Sequence, residues 1–258
     1  MSSKSIALSI ASSLAVGAGV GFAVASKKLA GKAVKVASKP RLYIYDHCPF
    51  CVRTRMIFGL KGLPVDLVFL ANHDEETPIG LVGAKVVPIL ETPAGVVMPE
   101  SMDIVRYVDA NYGEKVILAE ADADRTDLKQ WIKDSAECMR YLYHPRFHAT
   151  LFAEFAFEES RNYYKTKKEK TIGSFETAIA ESPKYVAQLN EFLVALEPML
   201  KKPHSVNETL SYDDIDLFGR LRGLTIVKGV EWPPKVLEYI TYMSKVTDIP
   251  LLDTLARF

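Results

Sequence analysis

The stretch that most constrains this chain is residues 41–61, where a strand-like run meets a helix across a pair of cysteines. Arg41-Leu-Tyr-Ile-Tyr45 is β-branched and aromatic, the side-chain types that suit a pleated surface. Asp46-His47-Cys48 makes a turn. Pro49 then opens a helix predicted to run to Lys61. Proline lacks the N–H that a first helical turn leaves unused, and Gly62-Leu63-Pro64 stops the pattern. Cys48 and Cys51 therefore straddle a helix N-terminus, and the fold must keep a strand end and a helix start together there.

The elements that follow keep one rhythm. Residues 65–70 read as a strand, 74–82 as a short helix, 86–91 and 96–98 as two strands joined by a turn at 92–95, and 101–112 as a helix. The order β-α-β-α-β-β-α ends in a hairpin and a helix. Residues 113–123 read as a linker. Beyond it no convincing strand appears: 124–143, 146–170, 175–201, 211–228 and 234–247 all read as helices. Ser211-Tyr-Asp-Asp214 fits a capping box, in which a serine caps the helix and an acid three residues on reaches back. The expectation is an α/β domain over 41–112 followed by an all-helical domain over 124–258.

Residues 1–40 have another texture. They hold six lysines and no acid, leaving 26 basic and 32 acidic residues for the rest of the chain. Apart from Lys165–Lys170, read as a solvated helix face, the basic residues of that acidic body are dispersed, which argues against nucleic acid. Residues 5–26 carry no charge; as a helix they would span about 33 Å, enough for a bilayer core. Lysines at 27, 28, 32, 35 and 39 follow. Three readings compete: an uncleaved anchor, a mitochondrial or plastid presequence, and a secretory signal. The positive charge after the apolar run favours the anchor, with the body on the lysine side in a reducing compartment. The body is expected to be a monomer.

The chain has three cysteines, too few for a secreted disulfide scaffold. A zinc site would need a second ligand pair, and Cys138, His47, His73, His144, His148 and His204 form no close cluster in sequence, so no metal is expected. A redox couple remains. Free N–H groups at a helix N-terminus favour a thiolate, so Cys48 is the expected nucleophile and Cys51, one turn inside, the resolving thiol. Arg53 and Arg55 are expected to face solvent, and Cys138 to be a buried small hydrophobe. Val87-Pro88, at a strand start, is open to two readings: a cis bond that presents the Val87 backbone to an incoming chain, or a plain edge-strand proline. Ser101, after Glu100, fits a helix cap whose N–H groups would suit a small carboxylate.

With these residues together, the chain resembles a known family. Tyr43-Ile-Tyr-Asp-His-Cys-Pro-Phe-Cys51, Met56-Ile-Phe-Gly-Leu-Lys61, Glu76-Thr-Pro78, Val87-Pro-Ile-Leu90 and Met98-Pro-Glu-Ser-Met-Asp-Ile-Val105 resemble the bacterial glutaredoxin 2 family. Pro145-Arg146-Phe147, Asp214-Ile215 and Trp232-Pro233 look like its helical domain. The resemblance covers residues 41–258 and leaves 1–40 outside. It implies a thioredoxin-like domain followed by an all-helical, glutathione S-transferase-type domain. It implies glutathione as reductant, with glutathionylated or disulfide-bonded proteins as partners. It makes Cys48 the attacker and Cys51 the resolver. It puts Pro49, Phe50, Val87, a cis Pro88, Glu100 and Ser101 at the glutathione site.

Three rival families share part of this pattern: a glutathione transferase, which more often uses Tyr or Ser; a membrane-associated prostaglandin E synthase 2-like isomerase, whose internal segments match less well; and a non-enzymatic chloride intracellular channel-like protein, which usually lacks the second cysteine.

Overall fold

The computed structural model describes residues 39–256. β1 (Arg41–Ile44), β2 (Asp66–Phe69), β3 (Ile89–Glu91) and β4 (Val97–Met98) form a sheet in the order β2-β1-β3-β4. β1 runs parallel to β2 and antiparallel to β3, with Leu42 opposite both Leu67 and Leu90; Leu90 in turn pairs with Met98 of β4. The parallel pair needs a crossover, which α1 (Pro49–Leu60) supplies; the antiparallel pair β3–β4 needs only the turn at 92–96. α2 (Glu76–Val82) and α3 (Ser101–Asn111) complete the first half. Alternation along β1 buries Leu42 and Ile44, which join Met56 and Ile57 of α1 and Ile104, Val105 and Val108 of α3 in the core. A buried Lys61–Asp109 ion pair of 2.9 Å ties the end of α1 to α3, and Asp109 also accepts the N–H groups of Ile117 and Leu118, which holds the connection to the second half.

That second half is helical: α4 (Thr126–Ala149), α5 (Glu158–Ile172), α6 (Phe175–Ala180), α7 (Ser182–Leu196), α8 (Tyr212–Leu221) and α9 (Pro234–Thr247). Three predicted boundaries move. α4 passes through Pro145, where the sequence suggested a break, and stops at Thr150, whose hydroxyl donates to the Arg146 carbonyl at 2.7 Å. One lost helical hydrogen bond is outweighed there by burial of Leu142, Pro145 and Phe147. The long helix expected over 175–201 divides at Glu181, with Pro183 in the first turn of α7. α8 tightens into a 3-10 turn at Arg222–Ile226. The capping box forms as expected: Asp214 accepts the Ser211 N–H at 2.8 Å, and it also receives the Val206 N–H at 2.7 Å.

The expected membrane-anchored location is corrected. Residues 5–26, on which it rested, lie outside the described residues. Among the described residues no helix is long and apolar enough to cross a membrane. The longest, α4 at 24 residues, carries charges along its length, Asp127, Lys133, Glu137 and Arg140 among them.

α1 packs on α8 and α9 as well as α3. One apolar cluster runs from Leu42 and Met56 through Trp131, Leu142 and Phe147 to Phe218 and Ile240. The helical half therefore abuts the face of α1 whose N-terminus carries the cysteines.

Candidate active site

The turn after β1 brings Cys48 to the N-cap of α1 in extended conformation, with Pro49 as the first helical residue. The Cys48 carbonyl accepts the Val52 N–H at 3.0 Å, the first bond of the helix. Cys48 is 9% exposed and Cys51 is fully buried, and both are free thiols. A hydrogen bond from the Cys51 thiol, aided by the neighbouring His47 imidazole and the Phe50 and Cys51 N–H groups, brings Cys48 down to about 6 despite its burial. Burial and the bond it donates push Cys51 well up. At neutral pH Cys48 is therefore mainly thiolate and Cys51 thiol.

Both residues before Cys48 are held by the helical half. Arg222, 1% exposed, donates to the Asp46 carbonyl at 2.6 Å and to its carboxylate at 3.0 Å. Arg55 reaches the same carboxylate at 2.5 Å. Burial pushes the Asp46 carboxyl up, but the two guanidiniums outweigh it and hold it below the ordinary range. Glu154, in a 3-10 turn between α4 and α5, accepts the His47 backbone N–H at 3.0 Å and lies 2.6 Å from its Nδ1, all through Oε1. Burial acts to raise Glu154, and the His47 bonds more than offset it. Its Oε2 is buried without a protein partner. The His47 ring stacks near-parallel to Tyr45 and Phe155 and meets Tyr164 edge-on, so it has one orientation. These two clamps were invisible in the sequence: Glu154 and Arg222 stand 107 and 176 residues from the groups they hold.

Two cavities adjoin at Phe50 and Val87, and Cys48 lines one of them. One, of about 480 Å³, gathers Phe50, Val87, Pro88, Glu100 and Ser101, and adds Arg53 and Lys85, which the sequence reading did not place there. The Val87–Pro88 bond is cis. Ser101 is the first residue of α3 and not its cap; the cap is Glu100, held at φ 70° in the left-handed region that non-glycine residues rarely occupy. The second cavity, of about 410 Å³, has Cys48 and Pro49 in its wall and shares Phe50 and Val87 with the first. Pro49 thus faces the second cavity and not the one that holds the other expected glutathione residues.

Arg53 does not face solvent. It is 6% exposed, lies 4.6 Å from the centroid of the Phe50 ring, donates to Ser101 Oγ at 3.2 Å and pairs with Asp216 of α8. Its Nε is buried without a partner. Lys85 is held by the Tyr45 hydroxyl at 3.0 Å and the carbonyls of Asn72 and Asp74. Cys138 is buried in α4 with its thiol 3.1 Å from the Tyr185 carbonyl, and burial pushes it up to about 12, so it is inert as a nucleophile.

Fold and site together define a class: a dithiol protein with a thioredoxin-like sheet domain followed by a helical domain, the glutathione S-transferase-like architecture. Residues 42–116 match the family model for the N-terminal domain of glutathione S-transferases, and 127–256 match that for the C-terminal domain of glutaredoxin 2. Glutaredoxin 2 of Escherichia coli K12 is 43% identical over 216 residues, covering 84% of this chain and 99% of the relative. A crystal structure of glutaredoxin 2 from Salmonella typhimurium in complex with glutathione superposes with a TM-score of 0.81 at 42% identity, covering 86% of this chain and all of that one. A glutathione S-transferase from Ceriporiopsis subvermispora, at 16% identity and a TM-score of 0.64 over 82% of this chain and 99% of that one, shares the fold. The chain belongs to the glutaredoxin 2 family.

Proposed function

We propose that this protein is a glutathione-dependent thiol–disulfide oxidoreductase that acts on glutathione mixed disulfides and protein disulfides through Cys48 and Cys51. The observation that carries the reading is Cys48 at a helix N-terminus, in the wall of a cavity that adjoins a second at Phe50 and Val87, with the fully buried Cys51 thiol beneath it; its neighbours lower Cys48 and raise Cys51. The Salmonella relative, a complex with glutathione, supports glutathione as the co-substrate.

In the first step the Cys48 thiolate attacks the glutathione sulfur of a mixed disulfide. A Cys48–glutathione disulfide forms, the old S–S bond breaks, and the substrate leaves with the electron pair as its thiolate. A second glutathione thiolate attacks this adduct, releasing glutathione disulfide and regenerating Cys48. On a protein disulfide, Cys48 becomes joined to the substrate. Cys51 then gives up its proton and attacks the Cys48 sulfur, the Cys48–substrate bond breaks and the substrate leaves as a thiolate, and two glutathiones reduce the Cys48–Cys51 disulfide and depart as glutathione disulfide. The cavity lined by Val87, Pro88, Glu100 and Ser101 suits the tripeptide: a main chain to pair at Val87, and helix N–H groups at Ser101 for its γ-glutamyl carboxylate. Arg53, which touches Ser101, adds a cation there. The division into domains at 41–112 and 124–258, joined at 113–123, belongs to the same proposal and is supported by family matches over 42–116 and 127–256.

The test is turnover of a glutathione mixed disulfide with glutathione reductase recycling the product. Cys48→Ser is expected to abolish it. Cys51→Ser is expected to keep it while losing reduction of protein disulfides. Equal tolerance of both substitutions would overturn the assignment.

A further inference from the structure

The cavity of about 410 Å³ on the far side of Cys48 is left without an occupant by the reading above. Its size falls among small-molecule sites, about 300–1,000 Å³. Phe50, Tyr143, Phe147 and Tyr164 contribute aromatic surface, with Tyr143 and Phe147 stacked at 5.0 Å. Cys48 lies in its wall, so whatever fills it touches the reacting sulfur.

Positive charge dominates this wall. Arg140 of α4, Lys168 of α5, Arg220 of α8 and Arg222 line it together with the Cys48 thiolate, and no Asp or Glu is among the described residues that do; Arg222 is matched by Asp46 at 3.0 Å. Arg220 is matched by Asp216 at 3.0 Å. Arg140 and Lys168, each half-buried, have no carboxylate within ion-pair distance among the described residues. Lys168, which the sequence placed on a solvated face, instead lies 5.5 Å from the Tyr164 ring centroid. Burial pulls its ammonium below the ordinary range, the Cys48 thiolate opposes that, and Lys167 and Arg140 pull it further. His144, which bonds the Tyr164 hydroxyl at 2.7 Å, adds no charge, because burial brings it down to about 2. Two partly desolvated cations that repel one another gain from an anion placed between them.

We infer that this cavity binds the leaving partner of a glutathione mixed disulfide and selects small aromatic thiols that carry a carboxylate. The inference rests on the glutathione reading. Glutathione occupies the cavity at Val87 and Ser101, and the aryl group lies across Cys48 among Tyr143, Phe147 and Tyr164, its carboxylate toward Arg140 and Lys168. Attack of the Cys48 thiolate on the glutathione sulfur forms Cys48–S–S–glutathione and breaks the bond to the aryl sulfur. The aryl thiolate departs with the electron pair beside the same two cations, and glutathione then regenerates Cys48 as before. The aromatic walls and the volume of about 410 Å³ suit one ring and its substituents.

The experiment compares mixed disulfides of glutathione with 3-mercaptobenzoate, 3-methoxythiophenol and 2-mercaptoethanol in the glutathione reductase-coupled assay. The unaltered protein is expected to show a KM about tenfold lower for the mercaptobenzoate adduct than for the methoxythiophenol adduct. The double variant Arg140→Met, Lys168→Met is expected to erase that ratio. On the unaltered protein, 3-(methylthio)benzoate is expected to inhibit competitively and its neutral amide to inhibit about tenfold less, a readout that needs no variant to fold. Equal KM values for the two aryl adducts, or equal inhibition by acid and amide, overturn the inference. Failure to turn over even the 2-mercaptoethanol adduct would instead remove the oxidoreductase reading beneath it.

Discussion

Glu154 spends one carboxylate oxygen on two donors of a single residue, the N–H and Nδ1 of His47, and His47 is the neighbour of the nucleophile. The bond donated by Cys51 is the main reason that Cys48 sits near 6 and not at about 8.5, the value of a free thiol, with the His47 imidazole and the Phe50 and Cys51 N–H groups adding to it. The sign is direct: a lowered thiol is thiolate above its folded value and loses reactivity as pH falls through it. Alkylation of reduced protein by iodoacetamide is therefore expected to be near its plateau at pH 7 and to fall by half around pH 6. A midpoint close to that of a free thiol would contradict the site's electrostatics. Glu154→Gln keeps an acceptor for His47 but removes the negative charge. Denaturant titration is expected to show a loss of about 1–3 kcal/mol, the scale of a weakened buried hydrogen-bond pair. An unchanged transition would mean that the charge on Glu154 adds nothing to the hold on His47. Of these residues, Cys48 and Cys51 were legible because a helix start is written in adjacent residues. Glu154 was not, because nothing near it in sequence indicates which donor a buried carboxylate will find.

α1 is the element through which the halves meet, and its glycine shows how closely. A Cβ built on Gly59 would lie 1.9 Å from the Thr247 carbonyl oxygen at the end of α9. Backbone cannot yield there as a flexible side chain could. Gly59→Ala is expected to cost about 3 kcal/mol by overpacking, read as a lowered Tm in thermal circular dichroism. A neutral result would mean that α9 shifts freely along α1. Ser211→Ala tests the start of α8, where Asp214 and Ser211 exchange reciprocal bonds. A loss of about 1 kcal/mol is expected, the usual worth of an N-cap. Local signals located this cap and the start of α9 at Pro234. They failed at Pro145 and Glu181, where propensity pointed one way and burial of the flanking side chains another.

Across the whole body, three polar contacts join the sheet domain to the helical domain around one turn and one helix start: Arg222 to Asp46, Glu154 to His47 and Arg53 to Asp216. With a continuous apolar cluster behind them, the two domains are expected to unfold together. Both tryptophans, Trp131 and Trp232, lie in the helical half, and the fully buried Cys51 lies in the other. Tryptophan fluorescence and Cys51 labelling, in a Cys48→Ser, Cys138→Ser background, should then give coincident denaturation curves. Separate midpoints would show that the domains are energetically independent. Arg222→Met, which leaves Asp46 only Arg55, is expected to lower both curves by about 3 kcal/mol, the scale of breaking a buried ion pair.

The sequence alone determined what depends on near neighbours: the order of strands and helices, a dithiol at a helix start, the capping box, and Val87-Pro88 and Glu100-Ser101 as candidates beside it. Hydrophobic period, proline and cap chemistry act over a few residues, so they can be read in line. Only the tertiary structure decided what surrounds the nucleophile. It turned Arg53 inward, aimed Lys168 at a cavity, and set Arg222 and Glu154 on the turn from 176 and 107 residues away. A buried charge must find its counter-charge wherever packing leaves one, and no local pattern records where that is.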